Sequence, residues 1–136
     1  MLDATLPTQA AIYAALAAAE ELTSILGGTK IYDRVPKPAV DPFVTIGELT
    51  GVDWSTAGHD GQEFELTVHT WDRGQSSVRL KQIMAAILAC LHDASLSIAG
   101  FNCVSVRYVS QSVITDPDGT TFHGVQRFRL VVEQPA

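Results

Sequence analysis

The sequence predicts an α+β domain in which two helices pack on a mainly antiparallel four-stranded sheet. Apolar and polar residues alternate over residues 63–69, which is the period of a strand with one buried face. Apolar residues then recur at helical spacing over residues 80–91. Asp116-Pro117-Asp118-Gly119 separates two long β-rich runs, because proline presets the first turn residue and glycine accepts a positive φ. We therefore expect a long C-terminal β-hairpin.

The first helix is predicted over residues 5–26. Ile12, Leu16 and Leu22 share one face, the alanine-rich centre favours a helix, and Gly27-Gly28 supplies a stop. A membrane or partner helix is the alternative reading, but the polar face is thin and not basic. We expect the apolar face to pack in the core.

A proline segment and a strand follow the first helix. Residues 30–32 read as a short extended piece, and residues 33–38 contain two prolines, which force an extended connection across an edge of the domain. Residues 43–50 form a β-rich run. Within and after it, Gly47 and Gly51 indicate bulges or close backbone contacts.

The next strand leads into the second helix. Trp71 falls out of step with the alternation before it, so we expect a bulge or the end of the strand near Thr70. Ser76 or Ser77 is suited to cap the helix, because a serine oxygen accepts from backbone N–H groups of the first turn. The apolar stripe of this helix consists of Leu80, Ile83, Met84, Ile87, Leu88 and Leu91.

Residues 103–115 and 122–133 are the two strands of the C-terminal hairpin. In the first of them Val106 and Tyr108 share a face, whereas Val109 has the opposite parity. The strand therefore either bulges or has two covered faces. The second strand alternates regularly, with Phe128, Leu130 and Val132 on one face.

Length and composition limit the classes of protein. The 136 residues suit one domain, 1–136, and 46% hydrophobic with 18% charged residues is typical of a globular chain. A net charge of -6 argues against binding nucleic acid through phosphate contacts. The sequence shows neither a signal peptide nor an apolar run of roughly 20 residues that could span a bilayer. Cys90 and Cys103 are expected to stay reduced in a cytosolic protein.

The histidines and acids do not form a pattern typical of catalysis. His59 and Asp60 are neighbours in a loop, which is a poor arrangement for a positioned base. His69 precedes Asp72 and Ser76, but no nucleophile-turn motif accompanies them. The sequence has no metal-ligand spacing and no phosphate-binding glycine loop. We expect no catalytic, cofactor-binding or metal-binding residues, and hence a protein that is not an enzyme.

Several segments, in order and spacing, resemble one family over roughly residues 10–133. Residues 31–36 follow a Leu-Gly-Gly helix end, residues 42–48 begin with Pro-Phe-Val, residues 65–71 run into the second helix, and the last hairpin contains His123, Phe128 and Leu130. Together they resemble the tail terminator or tail-completion proteins of long-tailed phages and phage-like gene transfer agents. That family has no catalytic motif to transfer.

The resemblance implies a structural role in a virion or phage-like particle, assembled in the host cytoplasm. Family members look like α+β subunits that form hexameric rings, cap the tail tube, stop its growth and meet the head connector. The implied partners are further copies of the chain, a tail tube protein and a head-tail connector or stopper protein, while DNA passes through the channel without specific binding. A ring of head-to-tail contacts needs two different patches on each subunit.

Contacts are expected in the exposed loops and edges, and above all in the polar loop 53–61. Long loops often have functional roles, and the tryptophan in this one either packs on the sheet edge or anchors a partner. The interface candidates are Trp54, His59 and Asp60 in this loop, Asp33 and Arg34 after the short extended piece, and Asp116 and Asp118 in the hairpin turn.

Two alternatives stay open at the level of the sequence. One is another small phage structural subunit, either a head-tail connector or a tail tube protein. The other is a small cytosolic α+β enzyme or ligand-binding domain with a pocket between helix and sheet.

Overall fold

The computed structural model describes residues 2–135, and its strands form one five-stranded mixed sheet. Strand order across the sheet is β1-β2-β3-β5-β4, with β1 parallel to β2 and the other neighbours antiparallel. The elements are α1 (Thr5–Ala18), α2 (Glu20–Leu26), β1 (Ile31–Tyr32), β2 (Phe43–Asp53), β3 (Gly61–Arg73), α3 (Val78–Leu91), β4 (Asn102–Thr115) and β5 (Thr121–Glu133).

The fifth strand corrects the predicted four-stranded sheet. Ile31 and Tyr32 pair in parallel with Val44 and Thr45, so the short extended piece is the edge strand β1. Two residues are too few to show a period, and parallel pairing depends on a chain crossing that local sequence does not reveal. The class α+β and the long antiparallel β4–β5 hairpin are as predicted.

Three helices, not two, pack on the sheet, because the predicted helix over residues 5–26 is interrupted at Ala19. Its φ of -79° and ψ of 97° are extended, and α2 begins at the next residue. Leu16 of α1 and Leu22 of α2, on either side of the break, are both fully buried. Gly27 ends α2 with a φ of 80°, as a C-terminal glycine should.

The helices cover one face of the sheet, here called the covered face; the opposite face is the open face. Helix α3 has the predicted stripe, with Leu80, Ile83, Met84, Ile87 and Leu91 buried. Its N-cap is Ser77, whose side chain makes no capping bond, but Oγ of the preceding Ser76 accepts from the N–H of Val78 in the first turn at 3.4 Å. The largest fully buried side chains include Ile12 and Leu16 of α1, Phe64 and Leu66 of β3, and Phe128 and Leu130 of β5.

Strand β3 shows that the expected irregularity near Thr70 is wrong. All thirteen residues of β3 pair in unbroken register with β5. Thr70 and Asp72 occupy buried positions on the covered face, so the alternation continues with polar residues in place of apolar ones. Asp72 is tolerated there because the guanidinium of Arg79 donates two hydrogen bonds to it, at 2.8 and 2.6 Å. Trp71 consequently lies on the open face.

The bulges lie in β2 and β4. The β2–β3 register shifts between Ile46 and Leu49, around Gly47, where an added Cβ would lie 2.7 Å from the ring of His69. Strand β4 shifts twice against β5, once on each side of Val106. This confirms the bulging alternative for β4. Among the described residues, no helix is long and apolar enough to cross a membrane.

The two cysteines are free and half-buried. Cys90 donates to the carbonyl of Ala15 at 3.4 Å, and Cys103 lies 3.9 Å from the carbonyl of Ala94. Burial raises the pKa of the Cys90 thiol, which makes it a poor nucleophile.

Candidate functional site

The loop between β2 and β3 is a closed, ordered connection that folds Trp54 back onto β3. The backbone N–H of Trp54 donates to the carbonyl of Gly61 at 2.9 Å. A Cβ on Gly61 would lie 3.1 Å from Cε3 of Trp54, so the indole packs directly on the glycine. The residue is nevertheless 36% exposed. Trp54 therefore contacts the sheet and leaves part of its ring available to a partner.

Hydrogen bonds within the chain hold the rest of this loop. Asp53 accepts from both the N–H and the hydroxyl of Ser55, and these bonds lower the pKa of the Asp53 carboxyl. Thr56 and His59 exchange backbone hydrogen bonds at 2.9 and 3.0 Å. The carbonyl of Asp60 accepts from the N–H of Gln134 at 2.9 Å, which ties the base of the loop to the end of β5. His59 and Asp60 are thus fixed by the backbone and half-buried.

The other predicted residues lie in two exposed places. Asp33 and Arg34 directly follow β1. Asp116 and Asp118 form the hairpin turn, and Asp118 accepts from the N–H of Thr120 and from both the N–H and hydroxyl of Thr121. These bonds lower the pKa of Asp118 to about 2, so its carboxylate is ionised and locks the turn.

The fold does not bring these three groups of residues together. Strands β1 and β4 are opposite edges of the sheet, so Asp33 and Asp116 lie on opposite sides of the subunit. Residues 54–60 join β2 to β3 at the other end of the strands from the β4–β5 turn, because those strands are antiparallel. The predicted residues therefore lie at separate places on the surface and do not converge on one site.

A ring stack on the open face was missed from the sequence. Trp71 and His123 are directly opposite each other, with ring centroids 3.6 Å apart and planes at 7°. Nδ1 of His69 lies 2.7 Å from Nε2 of His123. Burial lowers the pKa of both imidazoles; for His69 nearby Arg127 adds to the effect, and for His123 the nearby His69 does so. The shared parity of His69 and Trp71 was the available signal.

This stack has the geometry of a structural contact. The rings join β3 to β5, and no serine, cysteine or carboxylate hydrogen-bonds to either histidine among the described residues. Within the same residues no group of three or more His, Cys, Asp or Glu side chains could hold a metal ion.

Two exposed apolar surfaces at opposite edges of the sheet were also missed. One, the α1 groove, has a volume of about 300 Å³ and lies beside the solvent side of α1. The other, the free edge, is the second half of β4, residues 108–115, in which Val109 and Ile114 are 55% and 50% exposed. The α1 groove is lined by Leu6, Gln9, Ala10, Tyr13, Asp33 and Ile46.

Comparison with known proteins gives consistent relatives. The family model "Tail completion protein gp17" matches residues 10–133. The tail completion protein gp17 of Bacillus phage SPP1 is 30% identical over 91 residues, which are 67% of each chain.

Two solved structures are similar in fold. A chain of the virion of a native gene transfer agent particle superposes with a TM-score of 0.89 at 22% identity, over 98% of this chain and 99% of that one. The structure of SPP1 gp17 superposes with a TM-score of 0.57 at 25% identity, over 90% and 86% of the two chains. Because the family model spans the sequence from the first turns of α1 to the last residue of β5, the chain belongs to the tail completion protein gp17 family, a family of structural phage tail proteins.

Proposed function

We propose that this protein caps the end of a tail tube as a ring, stops polymerisation of the tube and joins the tail to the head connector. The observation that supports this proposal most directly is the family match over residues 10–133, which includes every strand, α2, α3 and the C-terminal part of α1. A protein that completes a tail must contact the last ring of the tube on one side and the head on the other. Its partners are therefore a tail tube protein and a head-tail connector or stopper protein.

The proposed ring is a hexamer of identical subunits. A closed ring of head-to-tail contacts requires two different, complementary patches on each subunit. The chain offers exposed apolar surfaces at both edges of its sheet, which is the arrangement such contacts need. Neither edge has a partner strand among the described residues.

DNA is proposed to pass through this ring without specific binding. The net charge is -6, and five of the nine lysine and arginine side chains lie within 4.0 Å of a carboxylate: Arg73, Arg79, Arg107, Arg127 and Arg129. The neighbouring carboxylate partly offsets the charge of each of these arginines and so weakens its attraction for a phosphate. A predominantly acidic surface instead repels DNA and lets it slide.

Catalysis has no part in this proposal. Among the described residues, the imidazoles of His69 and His123 contact each other. Neither imidazole has a hydrogen-bonded nucleophile or carboxylate beside it in that part of the chain. The loop 53–61, with the partly exposed Trp54 at its base, is the proposed contact with the tube or with a neighbouring subunit.

The test is to delete the gene in cells that produce the particle and to image the products. The proposal predicts unjoined heads and tails, or tails of uncontrolled length, and restoration of normal particles by the native gene. Labelled protein should then be found in a single ring between tube and connector. Label along the whole tube would indicate a tube protein, and its absence from that ring would refute the proposal.

A further inference from the structure

Helix α1 has a solvent face without charge. Its 14 residues include no charged side chain, yet Leu6 and Tyr13 are 76% and 43% exposed. A helix on a protein surface normally presents charged residues on the side opposite the core, and one that is apolar all round is normally buried. The solvent face of α1, with the adjoining α1 groove, therefore has the composition of a buried surface.

The free edge of β4 also has the composition of a buried surface. Residues 108–115, Tyr-Val-Ser-Gln-Ser-Val-Ile-Thr, contain no charge, no proline and no glycine. Natural edge strands are usually protected by charged residues, by proline or by a covering segment. The first half of β4 is covered, because Asp93 donates to the carbonyl of Val106 at 2.8 Å and His92 accepts from the N–H of Tyr108 at 3.0 Å.

Beyond Tyr108 the outward edge of β4 has no partner in the part of the chain that the structure describes. Val113, opposite Gly124, lies on the covered face and Ile114, opposite His123, on the open face; both side chains are exposed, as is that of Val109. A long, uncharged edge with exposed β-branched residues is a site of association, and in a lone subunit it is a risk for aggregation. Its composition is therefore explained by a partner that covers it.

The positions of the two surfaces favour a second copy as that partner. Helix α1 packs against β1 and β2, and the free edge belongs to β4 at the opposite side of the sheet. A contact between unlike surfaces on opposite sides of one subunit leaves both surfaces available for further copies, so it propagates head to tail. A contact between like surfaces would stop at a dimer.

The charges beside the two surfaces are complementary. Lys30, Arg34 and Lys37 lie on the segment that contributes Asp33 to the α1 groove, and none of these three has a carboxylate within 4.0 Å among the described residues. The free edge leads directly into Asp116 and Asp118, which are exposed. A contact between the free edge of one copy and the α1 groove of another can be oriented so that the acidic turn faces that basic segment.

We propose that the free edge of one copy packs against the α1 groove of the next, and that this repeated contact builds the ring. The inference rests on the ring proposed above and names its contact. Because Pro36 and Pro38 follow β1 and have no N–H to donate, side-chain packing contributes more to the contact than an extended β-ladder does.

Mixing two variants tests this pairing. Tyr13→Asp damages the groove and keeps the edge, whereas Val109→Asp damages the edge and keeps the groove. Each variant alone should lose the ring and sediment as a monomer, and an equimolar mixture should give a 1:1 dimer and nothing larger. Val78→Asp changes a residue that is 59% exposed on neither surface, so it should keep the ring. A dimer formed by either variant alone would overturn the proposal.

Cross-linking on assembled tails keeps the test valid if the free protein stays monomeric. A chain with Ala10→Cys and Val113→Cys should give a ladder of covalently linked copies on oxidation, and Ala10→Cys with Val78→Cys should not. If the Ala10→Cys/Val113→Cys chain gives no ladder while the protein is still imaged at the tail end, this contact is refuted and the proposed function stands. If the chain gives a ladder but the protein is absent from tails, the contact stands and the proposed function is refuted.

Discussion

His69 and His123 share a hydrogen bond across β3 and β5, with His69 Nδ1 2.7 Å from His123 Nε2. When both rings are neutral, one of the two facing nitrogens holds the proton and the other accepts it. A proton added to the accepting nitrogen would leave two N–H donors facing each other, and protonation of both rings would also place two like charges in contact. The stack of Trp71 on His123 restricts the movement that could separate them.

Acid should therefore destabilise the fold through this pair. The pKa of both histidines lies below the ordinary value of 6.5, chiefly because burial disfavours the imidazolium. Near that pH the unfolded chain binds more protons than the folded chain, so the free energy of unfolding falls as the pH drops through 6.5 and below. Between about pH 7.5 and about pH 5, we expect Tm to fall more steeply in the native protein than in the His69→Gln/His123→Gln variant.

The control for this comparison is His59→Gln, which removes a histidine and leaves the pair intact. Its Tm should follow the native pH dependence. Equal slopes for the native protein and the double variant would show that other groups, such as carboxylates, account for the acid sensitivity.

Ile87→Asp should unfold the protein. Ile87 is fully buried in the middle of the α3 stripe, and an unpaired carboxylate there costs several kcal/mol, comparable to the stability of a domain. The measurement is denaturant unfolding of the soluble fraction. Ala89→Asp is the matched control, because position 89 is exposed on the same helix. Cooperative, native-like unfolding of Ile87→Asp would mean that the helix face has been misassigned.

Arg79→Ala should cost about 2–3 kcal/mol of stability, because it leaves the carboxylate of Asp72 buried without its charge partner. Asp72 is 3% exposed and would keep only the bond from the N–H of Arg73 at 2.8 Å. The figure is below that for a fully buried pair, since the side chain of Arg79 is 48% exposed. Asp72→Asn combined with Arg79→Ala should recover part of the loss. Lys81→Ala, an exposed change on the same helix, should change stability by less than about 0.5 kcal/mol.

Trp54→Ala should separate folding from assembly. If the exposed part of the indole anchors a partner, Tm changes little, while assembly weakens by about 2 kcal/mol or more, as for other hot-spot tryptophans. Particles with this variant should show unjoined heads and tails. A large fall in Tm together with normal particles would instead assign Trp54 to the fold through its packing on Gly61, and the loop would be only a connection.

Local patterns in the sequence were sufficient for most of the fold. The α3 stripe, the Asp116–Gly119 turn and the alternation in β3 each report contacts between near neighbours in the chain. The errors concern features that depend on distant partners. Nothing in the local sequence marks the break at Ala19, since alanine favours a helix. The burial of Asp72 could be predicted only together with its partner Arg79, which follows the β3–α3 connection.

The candidate surfaces were predictable only in part. Turn and loop residues such as Asp118 and Trp54 could be located from polarity and glycine spacing. The free edge could not, because whether a strand is central or at an edge depends on the strand order β1-β2-β3-β5-β4. The absence of charge in α1 was visible in the sequence, but it acquired meaning only when Leu6 and Tyr13 proved to be exposed.

The unbroken pairing of β3 with β5 also has a consequence for how the subunit responds to its neighbours. Strand β3 is bonded on both sides over most of its length, whereas β1 is two residues long and the second half of β4 has one neighbour. Amide hydrogens of β3 should therefore exchange with solvent most slowly, and those on the outward side of residues 109–115 most rapidly. Strain imposed by a neighbour would be absorbed at the rims of the sheet before it reached the centre, so subunits could adjust to the curvature of an assembly without losing their core.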